Sequence, residues 1–303
     1  MTTGKVAERA GGVPDAVPEV VLGRRVVLRG LLRDRTAMIG IGIVSSFVLA
    51  AAFAPLLAPH NPDAVDVLRK FAPPSAEFPL GTDHLGRDVL SRLLYGARLS
   101  ISTAVAATLG ISVLGLLLGM LAGYLGGLVD TVISRVVDVL LAFPSFLLAL
   151  AVTGVLGPGL GNLMLAVVAV SWAGYARIVR GSVLAEREKA YVEAARATGL
   201  SGWHILWRHL LRNIVGPVVV LTTLDMGAIL LGISALSFLG LGVKPPTSEL
   251  GAMLSEGRNY ISQAPNMMLF PGAAIFFIAL GFNLFGDGLR DVLDPRTRQS
   301  ADS

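Results

Sequence analysis

The chain has 303 residues, of which 53% are hydrophobic and only 15% are charged, and its mean hydropathy is +0.69. A soluble domain carries about 25% charged residues, so this composition excludes an ordinary water-soluble fold and indicates an integral membrane protein. The net charge of +4 is modest, and the sequence contains no cysteine, which excludes disulfides, iron–sulfur clusters and thiolate zinc sites.

Six apolar runs reach the length of about 20 residues that a membrane-spanning helix needs. They cover residues 36–58, 99–122, 131–156, 161–181, 214–240 and 266–288. No alternation typical of strands competes with them, and the first run is too long for the apolar region of a signal peptide. The sequence therefore predicts an all-α membrane protein with six transmembrane helices, the last five of which form a core over residues 99–290.

The distribution of basic residues predicts the orientation of these helices. If the N-terminus lies inside, 18 of the 25 Lys and Arg residues are on the inner side, as the positive-inside rule requires. The polar tails 1–35 and 291–303 are then cytoplasmic, and segment 59–98 is extracytoplasmic. The proline-rich first half of that segment reads as irregular, whereas residues 88–95 predict a short amphipathic helix that leads into the second span.

The extracytoplasmic segment contains a polar motif made of Asp83, His84, Gly86, Arg87 and Asp88. One interpretation is a metal site formed by Asp83, His84 and Asp88. The other is a compact turn in which Thr82 or Asp83 caps the following helix. A single histidine beside flexible carboxylates is a weak ligand set, so the sequence favours the turn and no metal.

Two residues inside the apolar runs are candidates for a transport pathway. Pro144 removes a backbone hydrogen bond from the third run and predicts a kink, which either shapes a pathway or only adjusts packing. Asp225 lies in the fifth run, where a charge costs about 2.5–3.5 kcal/mol at the bilayer centre. It either faces the pathway or makes a hydrogen bond to a neighbouring helix.

The loop over residues 182–213 predicts a helix–turn–helix hairpin. Strong helix formers extend from Glu186 to Thr198, Gly199 suits a helix end with positive φ, and Ser201 can cap a second short helix. Its small residues form one face, flanked by Glu193 and Arg196; they are Ala190, Ala194, Ala195, Ala197 and Gly199. The loop is either a solvated basic segment or a helix that docks into the groove of a partner.

Two histidines of this loop, His204 and His209, are five positions apart. An α-helix places residues three or four apart on one face. The spacing therefore predicts that the two rings do not share a face, and we expect no metal there.

The order Glu193-Ala194-Ala195, three further residues and Gly199 resembles the EAA motif of ABC-importer permeases. In that family the motif forms a coupling helix that sits in a cleft of the cytoplasmic ATPase. The resemblance implies that Glu193, Ala194, Ala195, Arg196 and Gly199 couple the chain to an ATPase. The chain departs from the motif where it ends, because it reads Leu211-Arg212 in place of the usual Leu-Pro.

Three further stretches, residues 80–92, 236–246 and 282–291, resemble the C-type permease subunit of dipeptide/oligopeptide (peptide/nickel) importers. The resemblance implies a type I ABC importer permease fold in a bacterial inner membrane. It also implies three kinds of partner: a homologous B-type permease in a heterodimer, two cytoplasmic ATPase subunits or domains, and an extracytoplasmic peptide-binding protein. Relatives often carry an acid shortly before the Ser-Phe-Leu-Gly stretch, whereas residues 232–235 of this chain contain none.

The sequence contains no G-x-x-x-x-G-K-[ST] phosphate-binding loop. We therefore expect the chain to be a non-catalytic subunit without a cofactor, in contact with lipid but not nucleic acid, whose ATP and Mg are bound by partner subunits. One alternative keeps this mechanism and changes the cargo to nickel, glutathione or another small solute. Others are a secondary transporter, which would need intramembrane acid–base pairs or inverted repeats, and a non-transporting scaffold.

Overall fold

The computed structural model describes residues 30–32 and 34–293, so most of the predicted tails 1–35 and 291–303 lie outside the described residues. The described part is helical and contains no β-strand. Its α-helices are α1 (Arg35–Ala52), α2 (Ala54–Leu57), α3 (Val89–Leu125), α4 (Gly127–Leu141), α5 (Ser145–Leu156), α6 (Leu160–Glu186), α7 (Ala190–Ala197), α8 (Gly202–Phe238), α9 (Leu250–Gly257) and α10 (Asn266–Leu293). Two short 3₁₀ turns occur at Val67–Arg69 and Arg258–Tyr260.

Five helices of the described part, α1, α3, α6, α8 and α10, are long and apolar enough to cross a membrane. The third predicted run is divided into α4 and α5, which are bent by 92° relative to each other and give a sixth span where the bent pair is counted as one. The interruption predicted at Pro144 is therefore confirmed, and it is a break rather than a gentle kink. Pro144 is the residue just before α5, and its ψ of 120° is extended, not helical.

Helix α3 is continuous over 37 residues, which makes it about 55 Å long. The helix predicted at residues 88–95 is therefore present and leads into the second span, but it is the start of α3 and not a short helix. Asp88 caps the N-terminus of α3, and no proline interrupts the residues that follow. Because α3 is much longer than the hydrocarbon core of about 30 Å, it carries the chain from the 59–88 segment through the whole bundle.

Small residues bring α3 and α6 into close contact. Gly115, Gly119 and Gly123 follow each other at four-residue intervals on the face of α3 that contacts α6. A Cβ atom added to Gly119 would lie 2.6 Å from the carbonyl oxygen of Ala176, and one added to Gly123 would lie 2.8 Å from Cβ of Val183. Small residues at such spacing let two helix backbones approach in a membrane, so this contact fixes α6 against α3.

Helix α10 packs antiparallel to α1. Gly288 of α10 faces Ala37, and Gly281, two turns earlier, faces Val44. At one end of this pair, Leu31, Leu289 and Val292 join Ala37 in a buried cluster. The first and last described segments therefore lie at the same end of the bundle, which we call the hairpin end because the 190–212 loop is also there.

Candidate functional site

Helix α7 and the start of α8 form the predicted hairpin, residues 190–212, with one difference. The helix expected from Glu186 to Thr198 is interrupted after Glu186, and Lys189 is extended with φ −76° and ψ 146°. The Tyr191 hydroxyl reaches back to donate a hydrogen bond to Glu186 at 2.7 Å. This bond joins the start of α7 to the end of α6, and the extended Lys189 keeps α7 from continuing α6.

The turn of the hairpin has the chemistry that the sequence predicts. Gly199 has a φ of +79°, the left-handed conformation in which a side chain would be strained. Ser201 then caps the next helix, because its hydroxyl accepts a hydrogen bond from the backbone N–H of His204 at 3.3 Å. The predicted helix–turn–helix is therefore confirmed in its turn and in its second cap.

The second helix of the hairpin is not separate from the fifth span. Helix α8 continues from Gly202 to Phe238, and its residues Ile205–Leu210 are π-helical. Arg212, which stands where the EAA motif has proline, lies inside this continuous helix. A π-helix bonds residue i to residue i+5, and the rings of His204 and His209 accordingly lie 6.0 Å apart. The expectation that these two rings do not share a face is therefore wrong.

The hairpin has a buried face and an exposed face. Val192, Ile205 and Leu206 are buried in one apolar cluster with residues of α3 and α6. Ala195 belongs to this cluster and is only 7% exposed. Its side chain therefore holds the hairpin to the bundle, and the expectation that it belongs to the open small face is wrong.

The exposed face of the hairpin carries the remaining residues of the EAA-like motif. They are Glu193, Ala194, Arg196 and Gly199. Within the described chain, neither Glu193 nor Arg196 forms a salt bridge or a hydrogen bond through its side chain. A Cβ atom added to Gly199 would meet no atom within 4 Å. This face therefore offers small residues and two opposite, unpaired charges.

The second candidate feature is a cavity between α5, α6 and α8, which we call the membrane cavity. It has a volume of about 410 Å³ and is lined by Ser145, Ser171, Tyr175 and Asp225, together with apolar side chains. Ser145 follows Pro144, so the break after α4 and the acid of α8 contribute to the same cavity. The structure thus brings together the two regions that the sequence selects as pathway candidates.

Asp225 has no basic partner in the part of the chain that the structure describes. The phenol of Tyr175 lines the same cavity, and its hydroxyl donates a hydrogen bond to the carbonyl oxygen of Leu221 at 3.5 Å. On one side the cavity is open, because Phe146 is 40% exposed and Ile178 is 49% exposed. Asp225 therefore faces a cavity that this chain leaves open on one side.

The third candidate feature is a buried cluster of two acids and two arginines at the end of the bundle opposite the hairpin. In this ion-pair cluster, Oδ2 of Asp83 accepts hydrogen bonds from Nε of Arg87 and Nη1 of Arg92, both at 2.6 Å. Glu256 of α9 accepts from Arg87 at 2.7 Å and from Arg92 at 2.9 Å. The cluster joins the polar motif to α9 and has no formal net charge.

Burial raises the pKa of Asp83, but the guanidinium charges of Arg92 and Arg87 and two backbone N–H groups bring it below its ordinary value. Those N–H groups, of Leu85 and Arg87, donate to Oδ1 of Asp83 at 2.8 and 2.9 Å. Gly86 has a φ of +78°, and a Cβ atom there would collide with the carbonyl oxygen of Asp66. The compact turn favoured by the sequence is therefore present.

The residue that caps α3 differs from the prediction. Asp88, and not Thr82 or Asp83, accepts a hydrogen bond from the Ser91 backbone N–H at 2.9 Å. It also accepts one from the Ser91 hydroxyl at 2.6 Å. Asp83 does not cap α3, because its Oδ2 binds Arg87 and Arg92 and its Oδ1 accepts the backbone N–H groups of Leu85 and Arg87.

Three atoms with metal-binding capacity, from Asp83, His84 and Glu256, lie within 4.8 Å of one another. Both carboxylates already bind the guanidinium groups of Arg87 and Arg92, and two fixed positive charges oppose a third. The ring of His84 instead stacks on Tyr260, with 5.0 Å between centroids. The geometry therefore fits an ion-pair cluster better than a metal site.

Sequence reasoning missed Arg92, Glu256 and Glu249 as structural residues. Glu249 is completely buried and caps α9, where it accepts hydrogen bonds from the backbone N–H groups of Gly251 and Ala252. It also accepts one from the Ser100 hydroxyl at 2.7 Å. An acid directly before an apolar helix is a start signal that could have identified Glu249, whereas the long-range partners of Arg92 leave no local signal.

Comparisons with known proteins agree with these features. Residues 115–299 match the family model described as binding-protein-dependent transport system inner membrane component, and residues 24–74 match the N-terminal TM domain of oligopeptide transport permease C. The chain is 42% identical to the dipeptide transport system permease protein DppC of Alkalihalophilus pseudofirmus, over 90% of both chains. It is 44% identical to the probable D,D-dipeptide transport system permease protein DdpC of Escherichia coli, over 84% of this chain and 85% of that one.

A third similar protein is the glutathione transport system permease protein GsiD of Pectobacterium atrosepticum, at 42% identity over 89% of this chain and 90% of that one. The predicted permease fold and the resemblance to ABC-importer permeases are thereby confirmed. The chain is a multi-pass inner-membrane permease subunit, and it belongs to the family of binding-protein-dependent transport system inner membrane components.

Proposed function

We propose that this chain forms half of the translocation pathway of an ATP-driven importer of di- and oligopeptides and that the hairpin at residues 190–212 couples it to the ATPase. The observation that carries the coupling proposal is the two-faced packing of the hairpin. One face is buried against α3 and α6, and the other presents Glu193, Ala194, Arg196 and Gly199 to solvent. A partner that moves the exposed face of the hairpin therefore also moves the helices that are packed against its buried face.

The chain receives energy from partner subunits in this proposal. Two cytoplasmic ATPase subunits or domains bind ATP and Mg, and each contacts one hairpin of a pair of permeases. Glu193 and Arg196 make directional polar contacts, while Ala194 and Gly199 allow close backbone approach. When the ATPases close, they move the hairpins and shift the bundle between two arrangements.

A homologous B-type permease covers the open side of the membrane cavity. Exposed apolar side chains such as Phe146 and Ile178 would be equally stable against lipid, but Asp225 would not, because a charge at the bilayer centre costs about 2.5–3.5 kcal/mol. A second permease converts the open cavity into an enclosed passage. Lipid then covers the remaining apolar surface of the two chains.

Both chain ends and the hairpin are cytoplasmic in this arrangement, as the distribution of Lys and Arg favours. An extracytoplasmic binding protein delivers the cargo to the surfaces formed by residues 59–98 and 241–265. Di- and oligopeptides are the first candidate cargo because relatives at 42% and 44% identity are named for dipeptides. Glutathione is the second, because a relative named for it is 42% identical.

The coupling proposal is tested with the complete transporter carrying Glu193→Lys or Ala194→Trp in this chain. Both positions are exposed, so the fold should persist. We expect each variant to reduce co-purification of the ATPase and peptide uptake by at least about tenfold, since a reversed charge or a large side chain blocks a close contact. Asp63→Lys, an exposed change at the opposite end of the chain, is the control and should retain ATPase binding. Normal uptake in both hairpin variants would reject the coupling assignment.

A further inference from the structure

The membrane cavity combines one acid with two hydroxyl groups that have no partner in the described chain. Neither Ser145 nor Ser171 forms a side-chain hydrogen bond with another described residue, although most other Ser and Thr hydroxyls of the spans donate to a carbonyl oxygen one turn earlier, as Thr153 does to Ala149 at 2.8 Å. Asp225 has no basic partner, as described above. The cavity therefore contains unused hydrogen-bond acceptors.

These acceptors suit one kind of charged group. A carboxylate has about four acceptor positions. A primary ammonium group has three donors and no acceptor, and the Asp225 carboxylate and the Ser145 and Ser171 hydroxyls that line this cavity are groups of the kind that can accept from it. A divalent cation of the Ca²⁺ type needs about six to eight oxygen ligands, which this lining does not supply.

We propose that Asp225 recognises the α-ammonium group of the cargo during its passage and so determines specificity inside the membrane. This inference rests on the proposed function, because peptides carry an α-ammonium group at their N-terminus and glutathione carries one as well. The cavity volume of about 410 Å³ falls within the range of about 300–1,000 Å³ that is typical of small-molecule sites. Apolar neighbours such as Leu221 and Leu236 provide room for side chains of varied size without selecting among them.

The charge of Asp225 and its position on the proposed pathway predict which transport parameter it controls. The binding protein captures the cargo outside and sets the half-saturating concentration. Asp225 acts later, so loss of its charge should lower the maximum rate and leave the half-saturation unchanged. A residue with only a packing role would instead slow every cargo to the same extent.

The test uses proteoliposomes that contain the whole transporter, with ATP inside and saturating binding protein outside. The cargoes are alanyl-alanine and its desamino analogue, propionyl-alanine, which lacks the ammonium group. The variants are Asp225→Asn, which removes the charge at constant shape, and Asp225→Glu, which keeps it. Asp138→Asn is the control, since this exposed acid pairs with Arg177 at 2.9 Å and does not line the cavity.

We expect Asp225→Asn to lower the maximum rate for alanyl-alanine by at least about tenfold, because a neutral amide cannot form an ion pair with the ammonium group. The rate for propionyl-alanine should not change, and Asp225→Glu should recover most of the alanyl-alanine rate. Equal slowing of both cargoes by Asp225→Asn, or no slowing of either, would overturn the inference.

Two outcomes with the unmodified transporter are also decisive. If it carries alanyl-alanine but no measurable propionyl-alanine, rescue by Asp225→Glu supports the inference and failure of rescue overturns it. If it carries no cargo with a free amino group, the proposed cargo class fails before any variant is compared, and the inference fails with it. A failure confined to the Asp225 variants leaves the proposed function intact.

Discussion

The guanidinium group of Arg92 donates a hydrogen bond to Glu256 at 2.9 Å, across 164 positions of the chain. The same nitrogen also binds Asp83 at 2.6 Å. These bonds join the first turn of α3 to α9, and all of the participating side chains are buried or nearly so. The ion-pair cluster therefore holds together two segments that would otherwise be connected only through the bundle.

Replacement of Asp83 by alanine should strongly destabilise the protein. Arg87 and Arg92 would remain buried with Glu256 as their one carboxylate partner in the cluster, and removal of one member of a buried ion pair costs about 3–5 kcal/mol. The measurement is the apparent melting temperature of the purified permease complex. Glu77→Ala removes an exposed partner of Arg69 and is the control, which should leave the melting temperature unchanged. Equal melting temperatures for both variants would show that the cluster contributes nothing to stability.

His84 should make the stability of this region depend on pH. Burial and the nearby arginines lower the pKa of His84 below its ordinary value of 6.5. The negative charges of Asp83 and Glu256 raise this pKa but only partly offset the decrease. The folded protein therefore favours the neutral ring. Its contribution to stability is complete above pH 6.5 and is lost as the pH falls below that value towards the folded pKa.

We therefore expect the apparent melting temperature to decrease between pH 7.5 and pH 5, and His84→Gln to reduce this dependence. His204→Gln, in the exposed hairpin, should retain the slope of the unmodified protein. Asp83 does not contribute to this pH dependence. Because its pKa is lowered, the stability that its carboxylate provides is lost only at pH values below 3.8. An unchanged slope in His84→Gln would contradict the assignment.

The contact between α3 and α6 should not tolerate even one methyl group at Gly119. Its Cβ atom would lie 2.6 Å from the Ala176 carbonyl oxygen, so the two helix backbones must separate. Overpacking of this kind costs about 1–3 kcal/mol. Gly154→Ala is the same substitution in a helix where no atom lies within 4 Å of the new Cβ, and it should have little effect on thermal unfolding. A stability loss as large in Gly154→Ala would indicate a general effect of alanine.

The proposed orientation can be tested with single cysteines, because the sequence has none of its own. Asp63→Cys and Ala194→Cys place one thiol each at exposed positions of the 59–88 segment and of the hairpin. A maleimide that does not cross membranes should label the cysteine at 63 in intact cells with a permeable outer envelope. It should label the cysteine at 194 only after the inner membrane is opened. The reverse pattern would invert the topology and exclude the hairpin from contact with a cytoplasmic ATPase.

Local chemistry made several features predictable from the sequence. Pro144 cannot donate a backbone hydrogen bond, Gly199 can adopt positive φ, and Ser201 can cap a helix, whatever surrounds them. The break, the turn and the cap therefore follow from single residues. The hydrophobic length of each span is equally local, which is why the sequence alone predicts the all-α membrane fold.

Features that depend on distant partners were not predictable in the same way. Ala194 and Ala195 are identical in sequence terms, and only the packing of α7 on α3 and α6 decides which one is buried. The sequence around Asp83 is equally compatible with a cap, because nothing local indicates that Arg92 and Glu256 lie beside it. The π-helical course of Ile205–Leu210 depends on a change in hydrogen-bond register, for which a sequence of ordinary helix formers gives no sign.

Helix α8 begins in the hairpin and carries Asp225 farther along the same unbroken element. Each residue inserted into or deleted from such a helix rotates one part relative to the other by about 100°. The number of residues between Gly202 and Asp225 is therefore constrained as strictly as their identities. A substitution in α8 leaves this angular relationship unchanged, whereas an insertion or deletion would turn the hairpin and Asp225 towards different directions.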